Sequence, residues 1–331
     1  MMPFKKGIAS IQAWTTSATF DNTVQKWTGR LKGLLLGICL VVILLGVSYI
    51  IISPIIGVLS KAFMSSVDLA NPLIFLIPQN FTFENMMYAL RHMNYVRTLI
   101  TTLIYALSFA LIHVFIASMV GYGFARFRFK GSGLLFGLVI LTIVVPVQSY
   151  MVPLFINFRY FLGQPDWNMI RIVSIGGVDM PFSWSVLLLS LGGVGLRSGL
   201  YIYIFRQFFR GLPKEIEEAA FVDGASPLYT YAKVMIPNAV PAIVTVFLFA
   251  FVWHYNDTFY ASLLMHGNRF MSSMLLGLGP TFNMQEDVDN PLVTELVVFA
   301  GVLLTITPIL TIYLILQRYF IEGLERSGIV G

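Results

Sequence analysis

Few side chains in this sequence are equipped for chemistry, and they gather in three places. The densest is Glu217–Pro237, EEAAFVDGASPLYTYAKVMIP, the most polar stretch of a very apolar chain. The second is Trp253-His254-Tyr255-Asn256-Asp257, set inside an apolar run. The third is Gln148 and Tyr150, between Pro146 and Pro153. These sets offer hydrogen-bonding groups and flat aromatic faces. They offer no nucleophile paired with a base. His92, His113, His254 and His266 are scattered, and no H-E-x-x-H occurs. The lone Cys39 permits no disulfide within the chain and argues against a cysteine-based metal site. No G-x-x-x-x-G-K-[ST] is present, so no ATP-binding P-loop of its own is expected. The chemistry on offer is binding and fitting rather than catalysis.

Those residues need elements to hold them, and the polar stretch carries its own punctuation. Leu212-Pro213 opens a helix, because proline suits a first turn. Glu215, Glu217 and Glu218 then lie where the helix dipole favours acids. Ala219 and Ala220 are small and helix-favouring. Gly224 is free to take positive φ at a helix end. Ser226-Pro227 starts a second helix, with Ser as cap and Pro first inside. Leu228, Tyr231, Ala232 and Met235 follow at helical spacing, and Pro237 marks a bend or end. On these grounds alone, a helix–glycine turn–helix is equally an ordinary amphipathic connector.

The remainder reads as membrane. The 331 residues are 57% hydrophobic and 11% charged, with mean hydropathy +0.80. A soluble domain carries about 25% charge. Residues 1–32 form a polar, basic arm, with Trp14 and Trp27 suited to a membrane interface and a short amphipathic helix expected at 21–30. They do not read as a signal peptide, since no apolar segment follows Lys5 and Lys6. The uncharged run Gly33–Ser60 exceeds the roughly 20 residues needed to span. A polar loop is expected at 61–97. Further spans are expected at Thr98–Ala125, Gly131–Phe158, Ser183–Phe205 (interrupted by Arg197), Val240–Leu264 and Glu295–Gln317. Loops are expected at 159–181 and 265–291, with a short tail at 318–331. Six spans put both ends on one side. Two thirds of the 21 Lys and Arg residues then fall on that face, so the positive-inside rule makes both termini, and the loop at 212–237, cytoplasmic.

Glu218-Ala219-Ala220, three residues, Gly224, nine residues, Val234, one residue, Ile236-Pro237 resembles the EAA loop of ABC importer permeases, with Val for Ile and Ile for Leu. Gly123-Phe124-Ala125-Arg126-Phe127-Arg128-Phe129-Lys130-Gly131 resembles the basic turn after the second span of MalG-type sugar permeases. Pro146-Val147-Gln148 with Pro153-Leu154 resembles their third span. Asn256-Asp257 aligns with their W-N-[DE] segment, although Trp253 stands two residues too early. Gln317–Leu324 resembles their tail. The resemblance covers about residues 95–331.

It implies an all-α integral membrane protein, a type I ABC importer permease bundle of six transmembrane helices. Residues 33–60 would be a peripheral first helix, and 98–317 a five-helix core. The loop at 212–237 would be the coupling helix that docks on an ATPase. The resemblance assigns that docking to Glu217, Glu218, Ala219, Ala220, Asp223, Gly224, Ala225 and Pro237. Glu218 would accept from a basic group of the ATPase, or alternatively pair with Lys214 one turn earlier. The implied partners are a second, different permease subunit, two ATPase subunits that bind ATP and Mg, an extracytoplasmic solute-binding protein, and a sugar or oligosaccharide. No metal or cofactor is expected in this chain. The implied location is the bacterial cytoplasmic membrane.

Sugars need aromatic faces for stacking and amides or carboxylates for hydroxyls. Gln148, Tyr150, Trp253, Tyr255, Asn256 and Asp257 supply both, and are expected to line a substrate path; the alternative is helix-to-helix hydrogen bonding. Arg197 either lines that path or snorkels to an interface. Two other readings compete: a non-sugar solute such as glycerol phosphate, and an ion-coupled secondary transporter. The scarcity of acids within the spans counts against the latter.

Overall fold

The computed structural model describes the backbone of residues 4–160, 171–175, 178–265, 270–288 and 290–328, and the side chains of these except 4–31, 171–182, 262 and 319–328. The chain divides into two compact units, residues 1–60 and 61–331.

The first unit is helical. Helix α1, Phe4–Ala62, begins well before the expected span. The separate short helix expected at 21–30 is absorbed into it, because no proline lies between Pro3 and Pro54 to break the ladder. Lys32–Ala62 is long and apolar enough to cross a membrane, and its most apolar window is not buried at all. Such a surface suits lipid.

In the second unit the expected loop at 61–97 is largely ordered. It holds α2, Ser66–Ala70, and α3, Glu84–His92. Ser65 caps α2 by accepting from the Asp68 N–H at 3.2 Å. Asp68 in turn accepts from the Asn80 backbone N–H and the Asn80 side-chain amide, both at 2.7 Å. Phe63 stacks on Phe81, and Phe83 meets both edge-on.

Helix α4, Tyr95–Arg126, is the centre of the unit. Its inner face is small and polar: Thr98, Thr102, Ala106, Ala110, Ala117 and Gly121 are buried. Small residues allow close helix approach where no water drives association. At Gly121 an added Cβ would lie 2.6 Å from the Phe205 Cβ, so this crossing admits only glycine. The helix that makes that crossing is α8, and α12 packs on α4 as well.

Proline and glycine break the next two expected spans. Gly131–Phe158 becomes α5, Ser132–Val144, and α6, Val147–Arg159, bent 104° at Val145-Pro146, where proline has no N–H to continue the ladder. The expected loop at 159–181 contains an antiparallel pair, β1 Arg171–Ile175 and β2 Val178–Phe182. The expected fourth span is two helices, α7 Trp184–Leu191 and α8 Ser198–Gly211. Between them Gly193 and Arg197 take positive φ, +70° and +58°.

The polar stretch folds as α9, Glu215–Val222; α10, Pro227–Thr230; a π turn, Tyr231–Met235; and α11, Ile236–Asn238. Helix α12, Val240–Tyr255, is followed by α13, Phe259–Leu264. The expected loop at 265–291 contains α14, Met271–Glu286. Helix α15, Pro291–Gly328, runs on through the expected tail. Helices α12, α14 and α3 pack on α15.

Three helices therefore have the length and polarity of membrane spans: Lys32–Ala62, Tyr95–Arg126 and Pro291–Arg318. Two bent pairs raise the number to at most five among the described residues.

Candidate functional site

The α9–α11 hairpin is built as its residue types dictate. Asp223 ends α9, and Gly224 follows at φ +82°. The Gly224 N–H donates to the Phe221 carbonyl and the Ala225 N–H to the Ala220 carbonyl, both at 3.0 Å. This paired return is the Schellman stop, and it needs the left-handed residue that glycine supplies. Ser226 then caps α10, accepting from the Tyr229 N–H at 3.3 Å, with Pro227 first inside. The ladder widens at Tyr231–Met235. Asn238 donates its side-chain amide to the Val234 carbonyl, one turn earlier, at 2.7 Å. The chain then bends by 80° into α12.

The two sides of the hairpin differ. On the outer side Glu218, Ala219, Asp223, Gly224 and Pro237 are exposed, and Ala220 and Ala225 are half-buried. Val222 and Leu228 are 87% and 68% exposed, and Phe221 and Tyr229 also face out. Ala220, Asp223, Gly224, Ala225 and Tyr229 line one shallow concavity. Among the described residues no ion pair joins Glu218 to Lys214 or to another base, and the Glu218 carboxylate is on the surface.

Glu217 behaves differently from its neighbour. Successive residues on an α-helix diverge by about 100°, and Glu217 is turned inward, only 6% exposed. It accepts from the Tyr122 hydroxyl at 2.7 Å and pairs with the Arg126 Nε at 2.6 Å. Arg126 also donates to the Leu212 carbonyl at 3.0 Å. The Tyr231 hydroxyl meets that of Ser118 at 2.7 Å. Sequence reading did not single out Tyr122, and took Arg126 only as one of the basic residues of the turn at 123–131; the signal was an arginine at the last turn of one span and acids in the first turn of α9.

The second group divides. Arg197 lays its guanidinium over the Trp253 ring, 4.3 Å from the centroid. Arg197 and Tyr150 line a cavity of about 340 Å³ between the α5–α6 bend and the α7–α8 break. Gln148 and Asn256 are exposed, and Asn256 donates to its own helix at Val252. Tyr255 is wholly buried and donates to the Thr305 carbonyl at 3.1 Å. Asp257 is 6% exposed and serves the start of α13: its carboxylate accepts from the backbone N–H groups of Phe259, Tyr260 and Ala261 at 3.0 to 3.1 Å. Tyr150, Trp253 and Arg197 are thus brought to one side of the bundle, while Tyr255 and Asp257 are occupied in holding it together.

Sequence reading also left out a buried pair of rings between α4 and α12. His113 on α4 and His254 on α12 lie 4.9 Å apart between centroids. His113 meets the Ser198 and Ser190 hydroxyls at 3.1 and 3.4 Å. The nearest sequence signal was a histidine interrupting each apolar run.

Known proteins bear on this arrangement. The arabinooligosaccharides transport system permease protein AraQ of Halalkalibacterium halodurans is 24% identical over 86% of this chain and 93% of its own. The maltodextrin transport system permease protein MdxG of Bacillus subtilis is 26% identical over 89% of this chain and 96% of its own. A chain in the crystal structure of a bacterial ABC transporter that imports the acidic polysaccharide alginate has the same fold, with TM-score 0.63, 23% identity, and coverage of 86% of this chain and 96% of that one. The family described as binding-protein-dependent transport system inner membrane component matches residues 114–326, which take in the α9–α11 hairpin, the Arg197–Trp253 contact and all but the last two residues of α15. With that span of agreement, the chain belongs to the binding-protein-dependent transport system inner membrane components.

Proposed function

We propose that this chain is the permease subunit of an ATP-driven importer of a sugar or oligosaccharide, and that α9–α11 is its coupling element. The observation that carries the coupling role is the outer side of the hairpin. A stiff, Schellman-stopped helix pair presents Phe221, Val222, Leu228 and Tyr229 outward beside the exposed carboxylates of Glu218 and Asp223. Exposed apolar residues rimmed by charge suit a protein partner. That partner is a separate ATPase subunit, which holds ATP and Mg.

When two such ATPases close on ATP, they would draw the attached hairpins together and tilt the spans between inward-open and outward-open packings. A second permease subunit would complete the path, and an extracytoplasmic binding protein would deliver the solute. The saccharide class is supported by the arabinooligosaccharide and maltodextrin relatives. Tyr150 and Trp253 are the residues best placed to stack on it. The orientation with both termini cytoplasmic, six crossings in all, counts the broken α7–α8 pair as one crossing and rests on the Lys and Arg distribution.

The test is purification of the tagged chain with its neighbours, followed by ATP hydrolysis in proteoliposomes with the binding protein and a saccharide panel. Co-purified ATPase subunits whose hydrolysis rises with one saccharide are expected. Uptake driven by an ion gradient through the chain alone would overturn the reading.

A further inference from the structure

The contacts around Glu217 reach beyond surface docking. The cytoplasmic end of α4 holds the hairpin at three separate points. Arg126 grips α9 through Glu217 at 2.6 Å and the α8–α9 connection through the Leu212 carbonyl at 3.0 Å. Beside this ion pair, the Tyr122 hydroxyl donates a hydrogen bond to Glu217 at 2.7 Å. Ser118, one turn before Tyr122, meets Tyr231 of the π turn at 2.7 Å. Aromatic rings close the space: Tyr122 packs against Tyr231 and edge-on against Phe209, with centroids 5.1 and 5.5 Å apart. The Arg126 and Glu217 side chains are each only 8% exposed. Water cannot easily replace either partner, so breaking the pair strands a buried charge.

Both halves of the hairpin are thereby tied to one helix, and that helix is the centre of its unit. Its inner face packs on α8 and α12, with no room for a Cβ at Gly121. A displacement of α9 cannot be absorbed by a loose joint at its base.

We propose that Arg126, Tyr122 and Glu217 form a buried latch that makes the α9–α11 hairpin and α4 one rigid body. Glu217 is then a positioning residue for coupling and not a contact of the ATPase; Glu218 keeps the outward role. This rests on the coupling reading of the hairpin. The latch explains how motion at the hairpin surface enters the bundle: α4 moves with it, and carries along its packed neighbours α8 and α12.

The experiment compares three kinds of variant in the assembled importer, each checked for normal membrane abundance. Glu217→Arg and Arg126→Glu, made singly, break the pair. The double swap, Arg126→Glu with Glu217→Arg, restores opposite charges. Val222→Glu alters only the outer side. The single latch variants should retain bound ATPase subunits and hydrolyse ATP, yet transport markedly less solute per ATP, because the hairpin no longer carries α4 with it. The swap should recover much of that ratio. Spin labels at positions 119 and 215 should report one narrow distance in the native protein and a broadened one in the single variants. Val222→Glu should instead strip the ATPase subunits from the complex.

Native transport per ATP in both single variants, or a swap no better than either, overturns the latch. Hydrolysis and transport falling in parallel, with the label distance still narrow, overturns it too and leaves Glu217 a merely structural residue. Full retention of ATPase subunits and of transport in Val222→Glu overturns the coupling reading, and the latch with it.

Discussion

Gly224 shows how a single residue separates two causes of failure. It holds φ +82°, and a Cβ built there meets nothing within 4 Å. Within this chain, Gly224→Ala therefore costs only the left-handed backbone penalty, about 1 kcal/mol. Gly224→Asn should cost less, since asparagine tolerates that region. Neither loss would unfold a membrane bundle. We expect both variants to reach normal abundance, and Gly224→Val to lose coupling far beyond the backbone cost, because its side chain projects into the space a docked ATPase would fill. Uptake and ATPase activity, measured side by side, check this. Native transport by Gly224→Val would mean that nothing docks there. Trp253 sets a second test at this scale. Its ring underlies Arg197 at 4.3 Å beside the cavity that Tyr150 lines. Trp253→Ala and Tyr150→Ala should raise the solute concentration needed for half-maximal uptake while assembly is kept. Asp257→Ala should instead lower abundance, since three backbone N–H groups lose their acceptor at a buried helix start. The opposite assignment of defects would reverse the roles given to these residues.

Two elements depend on local devices that can be perturbed separately. The segment between α1 and α3 is tied by Asp68. Its carboxyl is held below the usual carboxylate range, first by the Asn80 backbone N–H, against a smaller opposing effect of burial. A folded-state pKa below the unfolded one adds stability that is present above the unfolded value, near 3.8. That stability is lost as pH falls through the folded value. The segment should therefore resist added protease at neutral pH and be cut readily only in strong acid. Asp68→Asn should be cut at neutral pH, because the amide would set a donor against a donor. The second device is the bend after α11. Pro237 and Pro241 both lack the N–H that would carry a straight ladder from the π turn into α12. Replacing both by Ala should open the 80° bend and lengthen the distance between labels at 228 and 240. An unchanged distance would assign the bend to packing rather than to the prolines.

For the whole molecule, the side of the membrane is the first matter to test. In a Cys39→Ser background, a cysteine at position 75 should react with an impermeant reagent from outside intact cells, and one at 222 only after lysis. Both native side chains are more than four-fifths exposed, so accessibility is not the limit. Composition alone determined that this chain lives in a membrane, because long uncharged runs have no other stable solvent. Local chemistry alone determined the hairpin: Pro, Gly and Ser-Pro act on neighbours in sequence, and the stop at Gly224 and the cap at Ser226 formed where those types stood. Three outcomes lay beyond that reach. Whether an apolar run crosses straight depends on what accepts the groups freed at Val145-Pro146 and at Gly193–Arg197, and that is a matter of packing. Helix α14 arose in a stretch whose polarity read as loop, because its buried face is filled by α15 and not by its own sequence. The inward turn of Glu217 needed Arg126 and Tyr122, some ninety residues away along the chain. Glu217 and Glu218 are chemically identical in sequence. Only the tertiary structure decided which of them is buried against a charge and which is left for a partner.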